Sequence, residues 1–299
     1  MNTEYQQDNE LSYVAFDNVV NPPAPHGWHQ AGIRNTWDDE YIARKTVFAD
    51  GQMEISVCRE KKFNGSALIR KPKAKRGESE NREANDIDAG KAAKKKVREK
   101  CKTIGADRLV TLTYRENMTE REQALKDWKE FTRRLRKCIA FHYVAVMELQ
   151  ERGAIHFHVA VAGRQNYHLL RSIWQSVLGT GANGQKMGQI NVRNPANFGF
   201  GKDGIHKLAA YLAKYCTKSM ECREIDQKRF FSSRGIVKPE VIAWRLHSND
   251  MLSACEVAFA IAAEGNLDGM VVYHNKGLQT IWIATAPGLS PVNPFAAPF

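Results

Sequence analysis

The sequence predicts an α+β fold, a central and mostly antiparallel sheet with flanking helices, carrying N- and C-terminal additions. Three observations carry that expectation. Apolar and β-branched runs of strand length stand at 108–114 ("RLVTLTY"), 142–149 ("HYVAVMEL") and 154–162 ("AIHFHVAVA"). Apolar residues at helical spacing mark 120–138, 167–179 and 204–220. The stretch "QERG", 150–153, is a tight turn, so the second and third runs form an antiparallel hairpin.

Taken in order, residues 1–40 are rich in Asn, Pro and Asp, and "NPPAPHG" reads as extended chain, so peripheral structure is expected there. Residues 44–59 read as two short strands about an Asp50-Gly51 turn. The stretch 71–86 is charged and poor in apolar residues, which predicts a flexible, solvated connector. "KAAKKKVREKCK", 91–102, has helix-forming composition and strong positive charge. Thr119 and Glu122 have the spacing of a capping box ahead of the helix at 120–138, where Leu125, Trp128, Phe131, Leu135 and Ile139 recur on one side. The helix at 167–179 is expected to end at Gly179, followed by a Gly-rich loop and a short strand at 189–192. After the helix at 204–220, the C-terminal part offers an apolar helix at 251–264 and two strands, "GMVVYH" and "LQTIWIATA".

Composition narrows the partner. The 299 residues hold 44 Lys+Arg against 33 Asp+Glu, a formal charge of +11, which favours a polyanion: nucleic acid first, an acidic membrane surface second. Six cysteines without a C-x-x-C pair suggest neither a zinc ribbon nor a disulfide framework. The polar, acidic start has no apolar leader, and the longest apolar stretch, around 254–263, is too short to span a bilayer. A reducing cytoplasm with no membrane association is expected. There is no G-x-x-x-x-G-K-[ST] motif, so strand unwinding would come from another protein.

Within "GAIHFHVAV", His156 and His158 fall on one face of a strand and Phe157 on the other, toward the core. Glu148, near the end of the partner strand, can lie beside them. Two imidazoles and a carboxylate on one face suit a divalent ion with open coordination positions. The same pattern also suits a purely structural pair, and both readings stay open from the residues alone. Glu151, in the turn, is a weaker candidate. Mg²⁺ prefers oxygen, Mn²⁺ accepts imidazole and Zn²⁺ binds tightly, so the donor set does not choose the metal. The helix at 204–220 contains "YLAKYCTK", a doubled Y-x-x-K unit that places Tyr211 with Tyr215, and Lys214 with Lys218, one turn apart.

The order "VTLTY", "ELQERGAIHFHV", "YLAKYCTK" resembles the HUH superfamily of single-strand DNA nucleases, and within it the rolling-circle replication initiators of small phages and plasmids. The doubled tyrosine unit is similar to that of two-tyrosine initiators of isometric single-stranded DNA phages. The Glu-x-x-x-Arg-Gly stretch ahead of the histidines resembles the replication endonucleases of filamentous phages. The resemblance covers roughly 105–235. It implies three regions: an N-terminal region at 1–104 with a flexible basic connector at 71–104, an HUH-type endonuclease domain at 105–237, and an appended α/β segment at 238–299.

The resemblance further implies a replication initiator that nicks single-stranded DNA at an origin by metal-assisted transesterification, then rejoins strands. His156, His158 and Glu148 would hold a divalent metal, Mg²⁺ or Mn²⁺. Tyr211 or Tyr215 would attack the phosphate and form a 5′-phosphotyrosine, with Lys214 and Lys218 assisting; Tyr211 is preferred if one alone acts. Host helicase and polymerase would be partners in the bacterial cytoplasm. Arg108, Lys129, Arg133, Arg134, Arg136 and Lys137 offer backbone contacts, and "RFFSSRG", 229–235, a strand-binding edge. The alternatives are an HUH transposase or relaxase, or a nucleic-acid-binding protein without activity.

Overall fold

The computed structural model describes residues 19–20, 37–48, 51–63, 69–70, 74–75, 78–194, 204–218, 227–246 and 250–286. In chain order the elements begin with β1 (Val19–Val20), β2 (Trp37–Val47), β3 (Met53–Phe63), β4 (Ile69–Arg70) and α1 (Arg82–Thr103). Then come β5 (Arg108–Tyr114), α2 (Arg121–Cys138), β6 (Val144–Leu149), β7 (Ile155–Val161), α3 (Tyr167–Leu178), β8 (Gly188–Arg193) and α4 (Gly204–Lys218). The last are β9 (Phe231–Ser232), β10 (Glu240–Leu246), α5 (Met251–Ala262), β11 (Asn266–Asn275) and β12 (Thr280–Ala286). The fold is α+β with two five-stranded antiparallel sheets, as the sequence predicts in class.

The described residues fall into two compact units, one drawn from Met1–Arg76 and Pro239–Ser290, the other from Gly77–Lys238. In the first, the strand order is β10-β2-β3-β12-β11, with Tyr41, Ile55, Val57 and Ile283 packed against Ala254, Ala258 and Ala262 of α5. This division differs from the three expected regions. Segments from before 104 and after 237 share one sheet, because β10 pairs with β2 and β12 with β3. Hydrogen bonding between strands so far apart in the chain leaves no local mark on either.

The second unit is a three-layer sandwich about a sheet of order β8-β5-β7-β6-β9. Strand side chains alternate between faces, so each strand feeds two cores. On one face Val110, Leu112, Ala145, Phe157 and Val159 meet Trp128, Phe131 and Leu135 of α2 and Leu170 and Trp174 of α3. On the other, Leu109, Val144, Val146 and Ala160 meet Ala93, Val97 and Cys101 of α1 and Leu208, Leu212 and Cys216 of α4. Full burial of an aromatic such as Phe157 stabilises by about 1.5–3 kcal/mol.

Two expectations need local correction. The segment 71–104 is not a connector throughout: from Arg82 to Thr103 it is α1, seated by Ala93, Val97 and Cys101 while its charged residues face solvent. The helix α2 starts at Arg121 with Glu120 as its cap residue and no side-chain cap bond, so Thr119 lies one position too early to form the expected box. Other signals hold: Gly179 closes α3 with φ +77°, and β2 and β3 pair about a turn in which Gly51 has φ +77°.

Candidate active site

Strand β7 presents the two histidines on the face opposite Phe157. Phe157 is fully buried and its ring stacks on Trp128 at 5.1 Å and 14°. That stack fixes the pleat, so His156 and His158 are held toward α4. Antiparallel register sets Glu148 directly across from His156, and places Val146 and Thr111 on either side of His158. His158 Nε2 lies 2.6 Å from Glu148 Oε2, and its Nδ1 lies 3.3 Å from Thr111 Oγ1. Only 7 % of His158 is exposed, so both ring nitrogens are satisfied inside the protein.

Helix α4 lies over this face. Leu208, Ala209, Leu212, Ala213 and Cys216 are buried in the core beneath it. The 3.6-residue period then brings Tyr211 and Tyr215, one turn apart, onto His158. The Tyr215 ring stacks on the His158 ring at 5.0 Å and 19°, and Tyr211 meets it edge-on at 5.9 Å and 84°. The Tyr215 hydroxyl donates to the Tyr211 hydroxyl at 2.7 Å. Lys214 is exposed, with Nζ 4.4 Å from the Tyr211 ring centroid and 5.1 Å from that of Tyr215.

The two phenols are not equivalent. Tyr215 is 6 % exposed and Tyr211 only half-buried, which reverses the expectation that Tyr211 is the deeper. Burial first, then the bond to Tyr211 and the nearby Glu148 carboxylate, push the Tyr215 hydroxyl well above the ordinary phenol range. Tyr215 is therefore a neutral donor at physiological pH, and Tyr211 the phenol that accepts. A cation over both rings favours negative charge on a phenol oxygen.

His156 stands apart from this cluster. Its Nδ1 lies 3.0 Å from Gln150 Nε2, and Gln150 Oε1 accepts from Arg152 Nε at 3.1 Å. Burial first, and then the neighbouring His158, hold its imidazole below the ordinary histidine range. Gly153, φ +82°, lets the turn close through Gly153 N–H donating to Gln150 O at 2.8 Å.

Of the expected metal ligands, the structure brings His158 and Glu148 into contact and sets Glu148 and His156 in register. Among the described residues no three His, Cys, Asp or Glu side chains are grouped as a metal cluster. The donor types fit a divalent ion that accepts imidazole, with two ring nitrogens and one carboxylate offered from a single sheet face. Glu151 is exposed in the turn. Lys218 ends α4, and its side chain lies outside the described residues. Arg108 is held by Asp107 at 2.6 Å and by Asn194 at 3.2 Å, and Arg134 by Glu130 at 2.6 Å. Thr111 and Gln150 were not legible as site residues. Thr111 lies on the face of β5 that pairs with His158, a relation only the strand register shows.

Residues 107–220 match the family model described as replication-associated protein, ORF2 or gene 2 protein. The match spans well under half of the chain, and all seven expected site residues fall inside it. No curated protein and no solved structure matches the chain significantly. No helix among the described residues is long and apolar enough to cross a membrane.

Proposed function

We propose that the protein is a replication initiator that nicks single-stranded DNA through a tyrosine and later rejoins the ends. The observation that carries this reading is the stack of His158 between Glu148 and Tyr215, with Tyr211 bonded to Tyr215 above it. Groups from β6, β7 and α4 meet there, and they lie within the stretch similar to replication-associated proteins.

Tyr211 Oη attacks the scissile phosphorus. The bond from phosphorus to the 3′ oxygen breaks, leaving a free 3′-OH and a 5′-phosphotyrosine; the phenolic proton passes to water, and the departing oxygen takes one up. The hydroxyl of Tyr215 orients the attacking oxygen, and the Lys214 ammonium favours its negative charge. Rejoining reverses the step and needs no nucleotide, because the ester keeps the free energy of the phosphodiester. Tyr215 serves the second cut, once the first tyrosine carries a DNA end. His156, His158 and Glu148 would hold a divalent ion, which supplies Lewis-acid stabilisation of the phosphate oxygens.

Incubating the full chain with circular single-stranded DNA and Mn²⁺ tests the reading. Conversion of circles to linear strands by the wild type, and not by the double Tyr211→Phe, Tyr215→Phe variant, is expected. Equal conversion by both would overturn it.

A further inference from the structure

A cleft of about 1010 Å³ runs between α2 and residues 227–234. Its floor holds Trp128, whose ring lies on the Phe157 side of the sheet, so the cleft and the tyrosines are on opposite faces. Seven of its lining residues are Lys or Arg and none is Asp or Glu. Four come from successive turns of α2: Lys129, Arg133, Arg136 and Lys137. Lys228 and Arg234 face them from the other wall.

Two of these cations have partners. Arg133 is bonded to Glu130, and Arg136 donates to the Tyr143 hydroxyl at 3.2 Å. Lys129, Lys137, Lys228 and Arg234 are exposed and form no ion pair among the described residues. Aromatic surface lies beside them, with Phe230 and Phe231 half-buried in the wall. Residues 227–232 are also fixed: Arg229 donates to Cys216 O and Asp86 O, both at 3.0 Å, and pairs with the Asp86 carboxylate. The wall is thus tied to α4 and α1.

We infer that this cleft binds a segment of single-stranded DNA, on the face of the sheet opposite the tyrosines. Uncompensated cations in a row match the phosphates, and the adjoining ring surfaces match unpaired base faces, which a duplex keeps stacked inside. The choice of DNA over another polyanion rests on the nuclease reading; the cleft's charge does not. Such a site would hold the strand away from the cut and keep a nicked product from diffusing off.

The test is fluorescence anisotropy of the full chain with a labelled oligothymidine of about 16 nucleotides, across a salt series. In the triple variant Lys129→Gln, Lys228→Gln, Arg234→Gln, affinity should fall about tenfold or more, and the salt slope should lose about 2. The three side chains are exposed, so an unchanged thermal midpoint is expected. Tyr211→Phe with Tyr215→Phe should bind as the wild type does. Wild-type affinity and slope in the cleft variant would overturn the inference. So would an equal loss in Lys94→Gln, Lys95→Gln, Lys96→Gln on α1, or equal competition by duplex DNA. If the wild type binds through the cleft yet nicks nothing, this inference stands and the nuclease reading falls.

Discussion

The Tyr215 hydroxyl donates a 2.7 Å hydrogen bond to the hydroxyl of Tyr211 one turn before it, and the two rings meet at 79°. Two residues that look interchangeable in a doubled Y-x-x-K motif thereby take different places. Tyr215 is buried against His158 and held neutral, while Tyr211 is the more open and accepts the bond. Tyr211→Phe should abolish the first cut. Tyr215→Phe should slow it about tenfold, the value of one lost hydrogen bond to a charge-bearing oxygen. Single-turnover nicking by the two variants separates them; the reverse order would assign the attack to Tyr215.

His158 and Glu148 form a pair with side chains only 8 % and 11 % exposed. Removing one partner strands a buried polar group, so His158→Ala should lower stability by about 3 kcal/mol. His156 is half-buried and bonded through an exposed turn, so His156→Ala should lower it by about 1 kcal/mol or less. Urea unfolding measures both, and equal losses would contradict the difference in packing.

Gln150 sits between Arg152 and His156 and fixes the ring from behind. Groups that orient a metal-binding imidazole typically change metal affinity by about 10-fold to 100-fold when removed. Gln150→Ala should therefore raise the Mn²⁺ concentration needed for half-maximal nicking about tenfold, while saturating Mn²⁺ restores the rate. An unchanged Mn²⁺ requirement would remove Gln150 from the site.

Glu130 is held down to about 2 by hydrogen bonds from Arg133 and Arg134 on its own helix. Its folded value lies below the unfolded one of about 4.3, so its contribution to stability is full above that pH. It is lost as pH falls through the folded value. Melting wild type and Glu130→Gln side by side should show a small gap near neutrality that closes below about pH 4. A gap that persists in acid would point to packing instead of charge.

Much of the second unit was legible because its signals are local. Trp128, Phe131 and Leu135 recur at helical spacing and all prove buried; the Phe157 alternation is likewise visible in a few letters and holds in the packing. The pairing of β6 with β7 followed from a short turn. What stayed hidden depends on distance along the chain. Strand β10 gave no sign of joining β2, and α1 begins nine residues earlier than its Lys-rich core suggested, because its seats are single small residues among charges. At the site, the tyrosine spacing announced a pair, but not which phenol is covered. That is decided by how α4 rolls on the sheet, through Leu208 and Leu212.

The most direct measurement is a denaturing gel of the full chain after incubation with single-stranded circular DNA and Mn²⁺. A covalent protein–DNA band is expected, with the link mapped to Tyr211 and the band lost in Tyr211→Phe with Tyr215→Phe and in His156→Ala. No covalent band under Mn²⁺ or Mg²⁺ on cognate single strands would contradict a tyrosine nuclease and leave a nucleic-acid-binding protein whose histidines are structural.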